Sequence, residues 1–287
     1  MTDAPDNLPP LREVIRRLDL TARKSLSQNF ILDLNLTRRI ARSTGNLHGV
    51  TVIEVGPGPG GLTRALLLEG ADRVIAIERD ERCKPALEEI AAHWPGQLEI
   101  LMGDALTTEY ASLAVGAQRV RVIANLPYSI ATPLFTGWLT AEPWPPWWEH
   151  MALMFQREVA DRIVAPPGSK TYGRLSVLSQ WRAAARIAFH LPAQAFTPPP
   201  KVSSSVVVLS PLAPPVGCRD SRALQALTAA AFGQRRKMLR STLKATFADL
   251  DTVLKGAGIN ATDRAESVTV EQYAQLAAAL EALTPQS

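Results

Sequence analysis

Asn125-Leu126-Pro127-Tyr128 carry the clearest chemistry in the chain, because they directly follow the apolar run Val120 to Ala124. That combination reads as a buried strand ending in a stiff polar turn with one aromatic ring displayed, which suits a planar base held by its amino edge. The Asn125 side-chain oxygen and the Leu126 carbonyl can accept from two amino hydrogens, Pro127 fixes the turn, and Tyr128 stacks on the ring. An adenine-type amino nitrogen is a poor nucleophile, since its lone pair is delocalised into the ring. Two acceptors aimed at its hydrogens make it more tetrahedral and ready for an electrophile. Asn is no general base, and none is needed if the proton becomes acidic only as the new bond forms.

A second motif supplies a partner for that turn. Glu54-Val55-Gly56-Pro57-Gly58-Pro59-Gly60-Gly61 ends one strand-like run and enters a helix-like one, so backbone amides can approach a ligand without Cβ obstruction. The run satisfies GxGxxG through Gly56, Gly58 and Gly61, and a dinucleotide site or a plain tight turn would also use it. Glu78, 22 residues after Gly56, can accept from ribose hydroxyls, and Asp104 can accept from an adenine amino group. Each acid alone could cap a helix. Together they describe adenosine lying across strand ends with no pyrophosphate to house, which fits S-adenosylmethionine better than NAD.

These residues need a scaffold that brings strand ends together. Strand-like segments at Thr51 to Val55, Arg73 to Ile77, Leu98 to Met102, Val120 to Ala124 and His150 to Phe155 alternate with helix-like ones at Leu62 to Glu69 and Glu81 to Ala92. The alternation predicts an α/β fold with a mostly parallel sheet. Ala185 to His190 and Val202 to Leu209 read as an antiparallel pair joined through Thr197-Pro198-Pro199-Pro200. Pro211, Pro214 and Pro215 mark a linker, predicting domains at 1–210 and 211–287, the second helical. There Leu239, Leu243, Phe247 and Leu250 repeat at helical spacing, with Arg236, Arg240 and Lys244 flanking the apolar face.

The 287 residues, 46% of them hydrophobic, supply a substantial core without staples. Cys83 and Cys218 lack CxxC spacing and read as free thiols of a reducing compartment, while His48, His93, His150 and His190 are too scattered for a zinc site. The N-terminus lacks the regions of a signal peptide and no run approaches a membrane span, so the expectation is a cytoplasmic, metal-free protein. Net charge is only +4, but basic residues gather in two regions. Arg12, Arg16, Arg17, Arg23 and Lys24 form one, and Arg235, Arg236, Lys237, Arg240 and Lys244 the other. They are candidates for phosphate-backbone contacts or ordinary solvated helix faces. Trp144, Trp147 and Trp148, in a Pro-rich loop, are expected to staple that loop to the body rather than to stack on bases.

From about Lys24 to Lys244 the chain resembles the KsgA/RsmA family of ribosomal RNA small-subunit adenine dimethyltransferases. Lys24-Ser25-Leu26-Ser27-Gln28-Asn29-Phe30-Ile31 is similar to its opening signature, departing at Ser27 and Ile31, where Gly and Leu are usual. The glycine run, Asn125 to Tyr128, Met154 to Val159, Tyr172 to Val177, Phe196 to Val202 and Phe232 to Lys237 resemble further family blocks. The resemblance implies a class I methyltransferase domain, Rossmann-like with a seven-stranded sheet, followed by a small helical domain for RNA recognition. It implies S-adenosylmethionine contacts at Asn29, Ile31, Gly56, Gly58, Glu78, Asp104 and Asn125. It also places a second aromatic ring for the target base at Phe196. Lys201, Arg235, Arg236, Lys237 and Arg240 are candidates for RNA contact, with a plain surface position equally open for Lys201. The implied reaction is dimethylation at N6 of two adjacent adenosines in a hairpin loop near the 3′ end of 16S rRNA. The implied substrate is the small ribosomal subunit or its precursor, met by a monomeric enzyme during ribosome biogenesis. Two alternatives stay open: a 23S rRNA methylase of the macrolide-resistance type, and a non-catalytic RNA-binding assembly factor.

Overall fold

Continuous apolar runs form strands only where both faces of a sheet are covered, and the central strands here meet that condition. In the computed structural model, which describes residues 6–23, 26, 28–213 and 217–283, every residue of β1 (Thr51–Val55) and β4 (Val120–Ala124) is buried. With β2 (Arg73–Glu78), β3 (Leu98–Met102), β5 (His150–Gln156), β6 (Ala183–Leu191) and β7 (Ser204–Pro211) they make a seven-stranded sheet ordered β3-β2-β1-β4-β5-β7-β6. The β1–β2, β2–β3, β1–β4 and β4–β5 pairs are parallel, and β5–β7 is antiparallel. The order turns back between β1 and β4, so the first turns of their crossovers open a crevice at the carboxyl ends of the strands.

Helices Gly61–Leu68 and Lys84–His93 follow β1 and β2. Leu62, Leu66, Leu87 and Ile90 pack with Val52 and Val74 in one buried cluster. Each such side chain contributes roughly 1.5–3 kcal/mol relative to exposure. A small second sheet, absent from the sequence reading, pairs Phe30–Ile31 antiparallel with Phe196–Thr197. Two-residue strands have no periodicity to detect, and this pair ties the opening signature to the start of the proline run.

The chain divides into two compact units, one of Met1–Phe135, Trp147–Ala160 and Arg186–Ser210, the other of Thr136–Pro146, Asp161–Ala185 and Pro211–Ser287. The second unit therefore gathers two segments from within 1–210. Its helices Arg174–Arg182, Ser221–Phe232 and Val270–Leu283 surround a cluster in which Phe232 meets Tyr172 and Tyr273 at ring distances of 6.1 and 5.7 Å. Tyr172 and Tyr273 donate their hydroxyls to the Val268 and Ala265 carbonyls.

The helical repeat expected over Leu239 to Leu250 is broken. Leu239–Thr242 and Leu250–Gly256 are separate short helices, the second started by Asp249, whose carboxylate accepts from the Thr252 amide. The Leu239 and Arg240 amides donate to the Asp263 and Ala261 carbonyls, which fixes the first helix against a distant segment. Leu239, Leu243 and Phe247 are buried nonetheless. Arg236, Arg240 and Lys244 are exposed but do not form one helical stripe. Lys24, Ser25, Ser27, Pro214 and Pro215 lie outside the described residues.

Candidate functional site

The carboxyl ends of β1 to β4 converge on a cleft of about 130 Å³. Asn29, Ile31, Gly56, Gly58, Glu78, Asp104 and Asn125 through Tyr128 all line it. Gly56 and Gly58 adopt φ of +70° and +56°, a region that L side chains rarely enter. Space also demands glycine here. A Cβ on Gly56 would lie 3.1 Å from the Pro127 ring, and one on Gly58 would lie 2.9 Å from the Phe30 ring. The missing side chains thus let the Asn-Leu-Pro-Tyr turn and the opening signature close on the glycine loop.

Glu78 ends β2 with its carboxylate organised by the backbone. Gly58 donates to one oxygen at 2.9 Å, while Arg79 and Asp80 donate to the other at 2.8 Å each. Burial raises its pKa above the usual carboxylate range, and those three amides oppose the shift. The oxygen that takes only the Gly58 amide keeps a lone pair for a further donor. Asp104 accepts from the Leu106 amide at 3.0 Å and lies 3.3 Å from Arg79.

Asn125 donates its side-chain N–H to the Asn29 carbonyl at 3.0 Å. A carbonyl can only accept, so this bond settles which end of the amide faces Asn29 and turns the Asn125 oxygen the other way. Leu126 anchors the turn with a fully buried side chain. The Tyr128 hydroxyl meets the Ser204 hydroxyl at 2.6 Å, so the ring is held at its far end by β7.

Several cleft residues had no role assigned from sequence. Gln28 donates to Asp80 at 3.0 Å, and the Arg82 guanidinium holds that carboxyl down to about 2. Phe30 covers Gly58, and Leu11 reaches the cleft from the first described helix, Leu11–Arg17. Glu54 is fully buried in β1, where desolvation pushes its carboxyl up to about 8 despite a 2.7 Å hydrogen bond from Thr63. Gln28 and Phe30 lie within the opening signature and Glu54 shows as a carboxylate inside an apolar strand, whereas Leu11 leaves no signal.

Because the Glu54 pKa is raised in the folded state, its contribution to stability is complete below about 4.5 and is lost as pH rises through about 8. Glu54→Gln removes that titration and keeps an oxygen for Thr63. Urea denaturation should show the variant gaining on the parent at about 1.4 kcal/mol per pH unit across that window. Parallel stability curves for the two proteins from pH 5 to pH 8 would refute the assignment.

The residues expected to meet RNA are placed less uniformly. Phe196 is 2% exposed, packed in the core cluster beside Ile31 rather than lining the cleft, because its strand pairs with Ile31. Lys201 is exposed in the first unit, as are Arg236, Lys237 and Arg240 in the second. Arg235 donates to the Lys170 and Tyr172 carbonyls at 3.1 and 3.0 Å, a structural use of its guanidinium. The tryptophan loop packs. Trp148 is buried, Trp147 stacks on Tyr110 at 5.6 Å, and Trp144 donates to the Leu212 carbonyl with Arg182 over its ring.

Among the described residues no group of three or more His, Cys, Asp or Glu could hold a metal, and no helix is long and apolar enough to cross a membrane. The cleft does fit an adenosyl sulfonium ligand. Its glycine loop leaves no room for added Cβ atoms, a backbone-pinned carboxylate ends β2, and a second carboxylate follows β3.

Comparison with known proteins agrees with this geometry. The model of a family described as ribosomal RNA adenine dimethylase matches residues 19–282. Ribosomal RNA small subunit methyltransferase A of Chelativorans sp. (strain BNC1) is 61% identical, over 95% of this chain and 98% of that protein. The protein of the same name from Rhodopseudomonas palustris (strain TIE-1) is 62% identical, over 95% and 94%. A dimethyladenosine transferase from Plasmodium falciparum, of solved structure, shares the fold with a TM-score of 0.65 at 21% identity, over 93% of each chain.

Proposed function

The chain belongs to the ribosomal RNA adenine dimethylase family and is an S-adenosylmethionine-dependent rRNA adenine-N6 dimethyltransferase; we propose that its targets are two adjacent adenosines in a hairpin loop near the 3′ end of 16S rRNA. The observation that carries the mechanism is the Asn125 amide anchored on Asn29 at the mouth of the glycine cleft. Support for the small subunit comes from relatives about 60% identical that bear its name, which leaves the 23S methylase reading disfavoured.

S-adenosylmethionine, when bound, supplies an electrophilic methyl group on a sulfonium. The chain's own residues do the positioning. Glu78 and Asp104 orient the adenosine, and the glycine loop admits it without side-chain obstruction. Asn125 and the Leu126 carbonyl accept the two N6 hydrogens of the target base, drawing its lone pair out of the ring. Pro127 packs toward Gly56, so the turn that grips the base is set directly on the cofactor loop. Tyr128 offers a ring whose far end Ser204 holds. After the first transfer one N6 hydrogen remains, so one of the two acceptors suffices for the second methylation. Extruding a loop adenosine costs less than flipping one from a duplex. Lys201, Arg236, Lys237 and Arg240 contact phosphates in this reading, and Phe196 reaches a base only by leaving its packed position. The protein is taken to act as a cytoplasmic monomer in ribosome biogenesis.

Purified small and large subunits lacking the modification, incubated with labelled cofactor, test the assignment. Label should enter only the small subunit, with reverse transcription stopping at paired adenosines near the 3′ end. Label in the large subunit favours the resistance-type reading, and label in neither favours a binding factor.

A further inference from the structure

We propose that residues Asp6–Leu20 form a strap that walls the glycine end of the cofactor cleft, and that Arg64 is the positioning residue that registers it; this rests on reading the cleft as the S-adenosylmethionine site. Arg64 lies on the helix that leaves the glycine run, yet its side chain is only 5% exposed. Its guanidinium grips the fully buried Asp6 carboxylate with two bonds of 2.6 Å and donates a third of 2.8 Å to the Pro9 carbonyl.

A buried ion pair adds little net stability compared with apolar packing, and its best-attested use is to fix register. Here the register reaches the cleft. Pro9 and Pro10 stiffen the chain beyond Asp6, so fixing Asp6 and Pro9 fixes where the residue after Pro10 falls. That residue is Leu11, whose side chain lines the cleft and whose Cδ2 lies 2.9 Å from where a Cβ on Gly61 would stand. Gly61 itself opens the Arg64 helix. Gly61 and Arg64 therefore stand one turn apart on the same helix, with the strap's Leu11 against the first and its Asp6 and Pro9 against the second. Farther along, Val14 and Leu20 pack on Cys83 and Ala86, and Arg17 pairs with Glu89 at 2.5 Å. The exposed Arg17 pair contributes little by itself. The apolar contacts hold the strap's far end against the next crossover.

A strap that only stabilised the fold would alter melting temperature alone. One that positions the cofactor site must alter affinity, and the full-length protein distinguishes them by calorimetric titration with S-adenosylmethionine and with S-adenosylhomocysteine. Binding by the parent protein comes first, since its failure would remove the cleft reading rather than the strap. With the parent binding, Asp6→Ala should weaken both ligands by about 10-fold with kcat at saturating cofactor changed less than about 2-fold, and Leu11→Ala should weaken both ligands by a similar factor. Arg64→Lys keeps the charge but loses the planar fork, and should match Asp6→Ala. The double variant should bind no worse than either single one, as members of one clamp do. A folded Asp6→Ala protein that binds both ligands as the parent does would overturn the proposal. If Asp6→Ala fails to fold, Leu11→Ala decides, and unchanged affinity there overturns it equally.

Discussion

Asn125→Ala lowers single-turnover methyl transfer by about 10²–10³-fold, the loss seen when one preorganised transition-state hydrogen bond is removed. RNA affinity, measured separately by filter binding, should stay within about 2-fold, because phosphate contacts supply most of it. Asn125→Asp is the sharper variant. Its carboxylate has no hydrogen to give the Asn29 carbonyl, which the native amide meets at 3.0 Å, so the anchor becomes a repulsion although the shape is kept. Asp should therefore be no better than Ala. An Asp variant that retained parental rates would show that the anchor does not orient the amide, and the mechanism above would have to be abandoned.

Glu78→Ala should be the most damaging change to cofactor binding. It strips the acceptor from three amides, those of Gly58, Arg79 and Asp80, in a buried corner of the cleft. A buried donor left unsatisfied costs about 1–3 kcal/mol, so a total loss of roughly 3 kcal/mol in stability is expected after water fills part of the gap. Affinity for S-adenosylmethionine should fall by at least about 100-fold, since the loop that cradles it and the hydroxyl acceptor disappear together. Glu78→Gln is not benign either. If its oxygen serves Arg79 and Asp80, its NH₂ confronts the Gly58 amide, donor against donor. Chemical denaturation and calorimetry read the two effects separately; an Ala variant with intact affinity would remove Glu78 from the cofactor site.

Much of this site is legible without coordinates, because its chemistry is local. A glycine run after an apolar strand, an acid at the end of the next strand, and a Pro-stiffened turn after the fourth each occupy a few adjacent residues. Their order follows from the βαβ pattern. The positions that sequence reading places differently are those where long-range packing overrides a local signal. The family resemblance offers Phe196 as a displayed ring, but its two-residue strand pairs with Phe30–Ile31 and carries it into the core. The apolar spacing from Leu239 to Leu250 looks like one helix until Asp249 restarts the chain and the amides of Leu239 and Arg240 find carbonyls at Asp263 and Ala261.

The chain's own pattern thus determined the fold class and picked out the carboxylates proposed for the cofactor and the turn proposed for the base, since periodicity and turn chemistry are written in neighbouring residues. Tertiary structure alone decided how those parts are locked together. Asn125 meets Asn29 across 96 positions and Arg64 meets Asp6 across 58. Neither pair leaves a spacing to read, because a hydrogen bond between distant segments depends on how the chain is folded over the sheet and on nothing local to either residue.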